Sequence, residues 1–263
     1  MHKIHIMSGI LFDELIFGPV HSRRLGISLG INLLPTDNKF CNFNCVYCEC
    51  GWNEKGRLIV LPKRADVKQL LIKRLHELLN TTNEPDAITF AGNGEPTTHP
   101  EFAEIIHDTI EVRDLLIPKA KISVLSNASM LHVKTVREAL MLVDKNIQKL
   151  DAGTETMFQR INQPQGSITL ARIVENLMFI KNNLIIQTLF VRGSYVGQVI
   201  DNTQGEELDA WLELVRKIQP KRVMLYPIDR ETPAEDLEKI PRNELEVIAQ
   251  RVQKLGVDTE VYD

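Results

Sequence analysis

The chain has 263 residues, 43% of them hydrophobic and 25% charged, with a formal net charge of −4 at pH 7. That length accommodates one large domain or two small ones at roughly 100–200 residues each, and the composition excludes collagen-like, low-complexity and intrinsically disordered chains. The charge gives no global basic field to draw the chain onto nucleic acid, and no apolar run approaches the ~20 residues of a membrane helix.

In chain order, Asp13 and Glu14 interrupt the short apolar stretch from Ile6 to Phe12 too early for a secretory signal. A soluble, cytoplasmic protein with no membrane partner is expected. Residues 1–20 read as an N-terminal extension and His21-Ser22-Arg23-Arg24 as a basic structural turn. Residues 26–34 form the first strand-like run. Asp66 can N-cap a helix whose Val67, Leu70, Leu71, Leu75, Leu78 and Leu79 share one face, with Asn80 at its end. The positive charge from Lys63 to Arg74 reads as the solvated side of that helix. Strand-like runs follow at 87–91, 122–126, 147–151, 184–191 and 222–227, alternating with helical periodicities at 101–117, 132–143, 169–182, 206–218 and 243–255. Residues 231–263 supply the C-terminal helix and an extra strand at Asp258–Tyr262. Six strands alternating with six helices predict an α/β fold, one domain over 1–263, built as an open partial (β/α)6 TIM-like barrel with parallel strands.

All four cysteines, Cys41, Cys45, Cys48 and Cys50, fall within ten residues. A disulfide framework would scatter them to close long loops. Crowded thiols in a cytosolic chain bind metal, either as zinc or as a cluster. Structural zinc prefers two separated knuckles, and there is no distant second pair. Three thiolates on one short loop suit three irons of a cubane and leave the fourth without a protein ligand. Cys50, one residue beyond Cys48, reads as a half-buried or exposed thiol.

Cys41-Asn-Phe-Asn-Cys45-Val-Tyr-Cys48 resembles the signature of the radical S-adenosylmethionine (SAM) enzymes. Ala91-Gly-Asn-Gly-Glu95-Pro96 is similar to their Gly-Gly-Glu-Pro element, with Asn93 as a departure. The segments Gly26–Leu33, Asp201-Asn202-Thr203 and Tyr226-Pro-Ile-Asp229-Arg230 resemble an iron–sulfur oxidoreductase branch that includes the wybutosine-synthesis (4-demethylwyosine synthase) tRNA enzymes. The resemblance implies one 4Fe-4S cluster on Cys41, Cys45 and Cys48. It also implies S-adenosyl-L-methionine as cofactor, and a low-potential donor, flavodoxin or ferredoxin.

Chemistry in such barrels sits at the C-terminal ends of the strands, which gathers the remaining candidates. Tyr47 either packs in the core or stacks on adenine. Gly92, Asn93, Gly94 and Glu95 form a tight turn whose backbone, more than the Glu95 side chain, would hold SAM. Ser126 and Asn127 cap the next helix or contact ribose. Asp151 shares that ambiguity with Thr154, itself a reasonable N-cap. Arg192 binds the SAM carboxylate or makes a surface salt bridge. Asp201, Asn202, Tyr226, Asp229 and Arg230 would face substrate, unless Asp229 pairs with Arg230. No histidine is assigned to metal.

The activity so implied is reductive cleavage of SAM to a 5′-deoxyadenosyl radical that takes hydrogen from a substrate. A tRNA base is one substrate; against it stand the chain charge and the absence of any cysteine outside residues 41–50. A glycyl-radical activase, a peptide or small-molecule modifier, and a non-enzymatic iron–sulfur sensor or electron carrier are the alternatives.

Overall fold

The computed structural model describes residues 9–22, 25–54, 56–180 and 183–263; Arg23 and Arg24 of the expected basic turn lie outside them. Along the chain run β1 (Ile16–Ser22), β2 (Gly26–Ile31), α1 (Arg64–Leu78), β3 (Ala87–Phe90), α2 (Phe102–Leu116), β4 (Lys121–Ser126), α3 (Lys134–Leu140) and β5 (Lys145–Lys149). They continue as α4 (Glu155–Ile161), α5 (Leu170–Met178), β6 (Leu184–Leu189), β7 (Val191–Tyr195), β8 (Gln198–Asp201) and α6 (Gly205–Ile218). The last are β9 (Arg222–Tyr226), β10 (Leu237–Lys239), α7 (Arg242–Gln253) and β11 (Asp258–Val261).

The main sheet has the order β1-β2-β3-β4-β5-β6-β9-β11. From β2 to β11 every neighbouring pair is parallel, and β1 lies antiparallel on β2. The expected partial barrel is therefore present, with β11 as the extra strand and β1 as a hairpin partner at the other edge. Strand alternation sorts the side chains into two layers. Ile88, Phe90, Ile122, Val124, Ile186, Val223 and Leu225 join the helices in the large apolar core. The opposite face, turned into the barrel, is mixed. It carries Ser28 and Thr89, whose hydroxyls are 2.7 Å apart, and a small separate cluster of Ile147, Ile185 and Met224.

Several local expectations change. Residues 152–168 contain a helix, α4, whose N-cap is Thr154, accepting from Met157 N at 3.2 Å. Arg192 and Gly193 come just after β6. They lie inside β7, which forms a second sheet with β8 and β10. Asp66 sits in the first turn of α1, and Lys63 holds the N-cap without a side-chain bond.

The basic side of α1 stays in contact with solvent, and part of it also pairs with α2. Arg64 Nε donates to Asp108 of α2 at 2.6 Å, and Lys68 reaches both Asp108 (3.2 Å) and Glu111 (2.7 Å). The Arg64 hydrogen bond, with Lys68 behind it and burial opposing, holds the Asp108 carboxyl below its ordinary pKa. A depressed folded pKa contributes stability above the unfolded value, lost as pH falls through the folded one. Asp108→Asn is thus expected to flatten the acid limb of the stability curve below about pH 4. Urea midpoints measured from pH 6 down to pH 2 check this. A variant with the wild-type acid slope would show the contact to be idle.

Candidate metal centre and active site

The loop after β2 is irregular, and backbone hydrogen bonds fix it on several sides. Asn32 starts it, accepting from Leu34 N and Asn93 N, each at 3.2 Å. Phe40 N donates to Asn93 O at 2.8 Å, and Glu95 N returns to Phe40 O at 3.2 Å. Val46 N donates to Ile161 O at 2.9 Å, and Ala234 N donates to Val46 O at 3.2 Å. The crossing at Phe40 needs glycine at 94. Its φ is +144°, and a Cβ there would collide with the Phe40 carbonyl. Gly94→Ala is expected to destabilise the fold by roughly 2 kcal/mol or more from backbone strain alone, read as a lower urea midpoint; an unchanged midpoint would mean the crossing is soft.

Residues 10–12 of the N-terminal extension are bonded into this frame. Ile10 N donates to Glu49 O at 2.7 Å. Phe12 exchanges two bonds with the Asn93 side chain, both at 2.8 Å. Asn93 also donates to Pro35 O at 2.8 Å. The Asn93 side-chain amide is fully buried and ties three chain segments together; the contact with SAM expected of this turn is one by its backbone.

Each of the three signature cysteines has a hydrogen-bond donor. Cys41 Sγ accepts from Phe43 N at 3.4 Å and stands 3.8 Å from the Asn127 amide. Cys45 Sγ accepts from Asn162 Nδ2 at 3.5 Å. Cys48 receives donors from Cys50 and from Lys39. Lys39 is 4% exposed, with its Nζ donating to Gly51 O at 2.8 Å, and its charge acts on Cys48, Cys41 and Cys45. Burial drives the Cys41 thiol up and takes Cys45 to about 11. At Cys48 the Cys50 hydrogen bond, aided by Lys39, overcomes burial and brings the thiol down to about 5. Cys50 moves the other way, pushed up by that same bond and by burial, and its Sγ donates to Gly92 O at 3.4 Å. Among the described residues no three His, Cys, Asp or Glu side chains stand as a ready single-ion site. Three thiols served by N–H donors and a buried ammonium fit the thiolate ligands of an iron–sulfur cluster. Cys50 lies beside that set, its single S–H shared between Cys48 and Gly92 O.

Two buried carboxylates organise the strand ends around the loop. Glu95, 2% exposed, accepts from Thr97 N at 3.1 Å, Thr97 Oγ1 at 2.5 Å and Asn127 N at 2.6 Å, with Ser126 also bonded to it. Burial raises its pKa against these bonds. Glu95 and Ser126 thus brace β3 to β4, while Asn127 places its amide beside Cys41 and Asn42. Asp151, also 2% exposed, accepts from the Tyr47 hydroxyl, from Asn162 Nδ2 at 2.8 Å and from Leu189 N at 2.9 Å. Gly92, at φ +150°, packs on Asn32, where a Cβ would collide.

On the far strands the expectations divide. Arg192 is engaged by Thr203 (2.9 Å), Glu244 (2.7 Å) and Asp201 (3.6 Å), so the salt bridge, one of its two expected roles, is formed within the chain. Asp201 caps the turn before α6, accepting from Thr203 N at 2.9 Å and Gln204 Nε2 at 2.6 Å. Asn202 is 1% exposed and staples backbone, accepting from Val191 N and donating to Asp151 O and Leu189 O, each at 2.8 Å. Asp201 and Asn202 both make structural contacts within the chain. Arg230 and Asp229 do not pair with each other. Arg230 reaches Glu49 of the cysteine loop at 2.9 Å, and Asp229 meets Lys239 at 3.8 Å. Both are half exposed, so neither is a buried charge, but Arg230 does share the mouth with the cysteines. Tyr226 accepts from Lys149 Nζ at 2.5 Å. Lys39, Asn162 and Lys149 escaped the sequence reading because none belongs to a motif. A cleft of about 800 Å³ opens beside Cys41, with Lys39, Asn53, Arg160, Gln165 and Tyr195 in its walls.

The Radical SAM superfamily model matches residues 37–218, and the chain belongs to that superfamily. Within it the chain sides with the UPF0026 proteins. It is 34% identical over 226 residues to UPF0026 protein slr1464 of Synechocystis sp., covering 83% of this chain and 77% of that one. It is also 34% identical over 240 residues to a GTPase Obg of Brachyspira hyodysenteriae, covering 90% of this chain but only 33% of that protein. Among solved structures, Streptococcus suis SuiB bound to S-adenosylmethionine has a similar fold, with a TM-score of 0.62 at 13% identity over 86% of this chain and 49% of its own. Archaeal TYW1 is similar in fold as well, with a TM-score of 0.54 at 13% identity over 86% of this chain and 71% of its own. The UPF0026 relatives do not extend the wybutosine resemblance beyond fold.

Proposed function

We propose that the protein is a radical SAM enzyme that holds one 4Fe-4S cluster through Cys41, Cys45 and Cys48. The observation that carries this is the donor set: every signature thiol receives an N–H or ammonium donor, while Cys50 is turned to Gly92 O. When bound, the cluster and SAM supply one-electron cleavage of the sulfonium to methionine and a hydrogen-abstracting 5′-deoxyadenosyl radical.

The chain's own residues bind, orient and shield. Lys39, Phe43 N and Asn162 stabilise thiolate over thiol at three positions. The Gly92–Glu95 turn offers backbone carbonyls for the methionine ammonium, with Glu95 and Ser126 holding it in place rather than touching the ligand. Asn127, beside Cys41, is placed for the polar end of SAM. Tyr47, 6% exposed and tethered to Asp151, screens the interior from water and offers a ring for adenine. Arg230 and Glu49 close the rim. The electron comes from a low-potential donor such as flavodoxin or ferredoxin.

Anaerobic reconstitution tests the reading. About four irons per chain are expected, with 5′-deoxyadenosine and methionine formed from SAM and dithionite. Zinc at full occupancy in protein purified without oxygen would overturn it.

A further inference from the structure

A buried positive charge beside the cysteines has no carboxylate to answer it. Lys39 stands two residues before Cys41 and is 4% exposed. The acids of the loop between β2 and α1 are engaged elsewhere. Asp37 and Glu54 pair with Arg57 at 3.7 and 2.6 Å, and Glu49 pairs with Arg230 at 2.9 Å. Among the described residues no Asp or Glu forms an ion pair with Lys39. A buried ammonium with no anion opposite it is costly. The groups its charge acts on are Cys48, Cys41 and Cys45, and it is hydrogen-bonded to Cys48.

Backbone groups hold the ammonium in that place. Lys39 Nζ donates to Gly51 O at 2.8 Å, Gly51 N donates to Cys48 O at 2.8 Å, and Cys48 N donates to Cys45 O at 3.1 Å. The side chain thus joins the residues just before the cysteines to those just after them, and it cannot swing out to solvent without breaking that closure. The potential of an iron–sulfur cluster follows its net charge, the hydrogen bonds to its sulfurs and its exposure. Uptake of one electron adds one negative charge to the cluster, with no proton taken up. A positive charge fixed beside the thiolates, in a low-dielectric interior, favours the reduced form more than the oxidised one.

We propose that Lys39 sets the reduction potential of the cluster, its buried ammonium being the internal counter-charge that eases uptake of the electron from the low-potential donor. The inference rests on the cluster reading of Cys41, Cys45 and Cys48, and it adds a role in electron loading to the holding of thiolates. Lys39 acts through the thiolates and is not itself a ligand. The competing role is mechanical closure on Gly51 O, which would change how well the cluster is held and leave its potential alone.

Three substitutions separate the two roles. Lys39→Arg keeps the charge and the donors, Lys39→Gln keeps a donor without the charge, and Lys39→Met keeps only the apolar stem. Each protein is reconstituted anaerobically and assayed for iron. It is then poised at a series of potentials without SAM, so that cleavage drains no electrons, and the reduced cluster is counted by electron paramagnetic resonance. At a fixed potential, the ratio of reduced to oxidised cluster should fall about tenfold or more in Lys39→Met and Lys39→Gln, a midpoint lower by about 59 mV for a one-electron couple. Lys39→Arg should stay within about threefold of the wild type. The proposal is overturned if Lys39→Gln titrates as the wild type does, since the bond to Gly51 O would then be what matters. It is also overturned if Lys39→Arg falls as far as Lys39→Met, or if both neutral variants fail to load iron, which would make the lysine a clasp for assembly. Wild-type protein that loads no iron would instead reject the cluster reading, and this inference with it.

Discussion

Cys45→Ala is expected to lose the iron–sulfur cluster and, with it, all SAM cleavage above background. Cys45 is 8% exposed and sits between Asn44 and Val46, whose amides are bonded to Asn162 O and Ile161 O. Its thiol therefore has a fixed address, and no neighbouring cysteine can swing in to replace it. Cys50 is the only spare thiol in the sequence, and it is already engaged with Cys48 and Gly92 O. Removing one ligand leaves two thiolates for a cubane that needs three from the protein. Cys50→Ala removes only a donor to Cys48 and should keep the full iron content. Iron and sulfide assays on anaerobically reconstituted variants decide between them. Equal loss in both would mean that Cys50 is a ligand, and equal retention would move the metal elsewhere.

The contrast between Cys45 and Cys50 also shows what the sequence made legible. The signature thiols were readable because their chemistry is carried by residue type and spacing, and the parallel strands because short β-branched runs between amphipathic helices have one economical arrangement. Less was legible where function depends on which polar partner a side chain finds. Asn93, Arg192 and Asn202 look like ligand contacts at strand ends, yet each is engaged within the chain, Asn93 and Asn202 with buried backbone and Arg192 with the partly exposed Glu244. Lys39, Asn162 and Lys149 carry no motif, and only tertiary packing brings them to the thiols or into the barrel. The helix α4 escaped notice because it is seven residues long, too short for a convincing apolar stripe. The segment before β1 read only as an extension because its bonds to Asn93 and Glu49 are long-range.

The same reasoning gives the largest expected stability effect, at Asp151. Its two oxygens accept from the Tyr47 hydroxyl, Asn162 Nδ2 and Leu189 N, and its carbonyl accepts from Asn202 Nδ2. Asp151→Ala keeps the carbonyl bond but strands three donors in a site where water is scarce. Each orphaned buried donor costs about 1–3 kcal/mol, and partial relaxation makes about 3–5 kcal/mol the expected total. For a chain of this size that corresponds to a thermal midpoint lower by roughly 10 °C or more. Tyr47→Phe removes one donor together with its need, so it should cost about 1 kcal/mol. Asp151→Asn keeps the shape and part of the accepting capacity, and should fall between the two. Chemical denaturation of all three variants, each without cofactor, reads the order directly. If Asp151→Ala proves no more costly than Tyr47→Phe, the carboxylate does not hold the strand ends, and its place at the mouth would have to be explained by ligand contact instead.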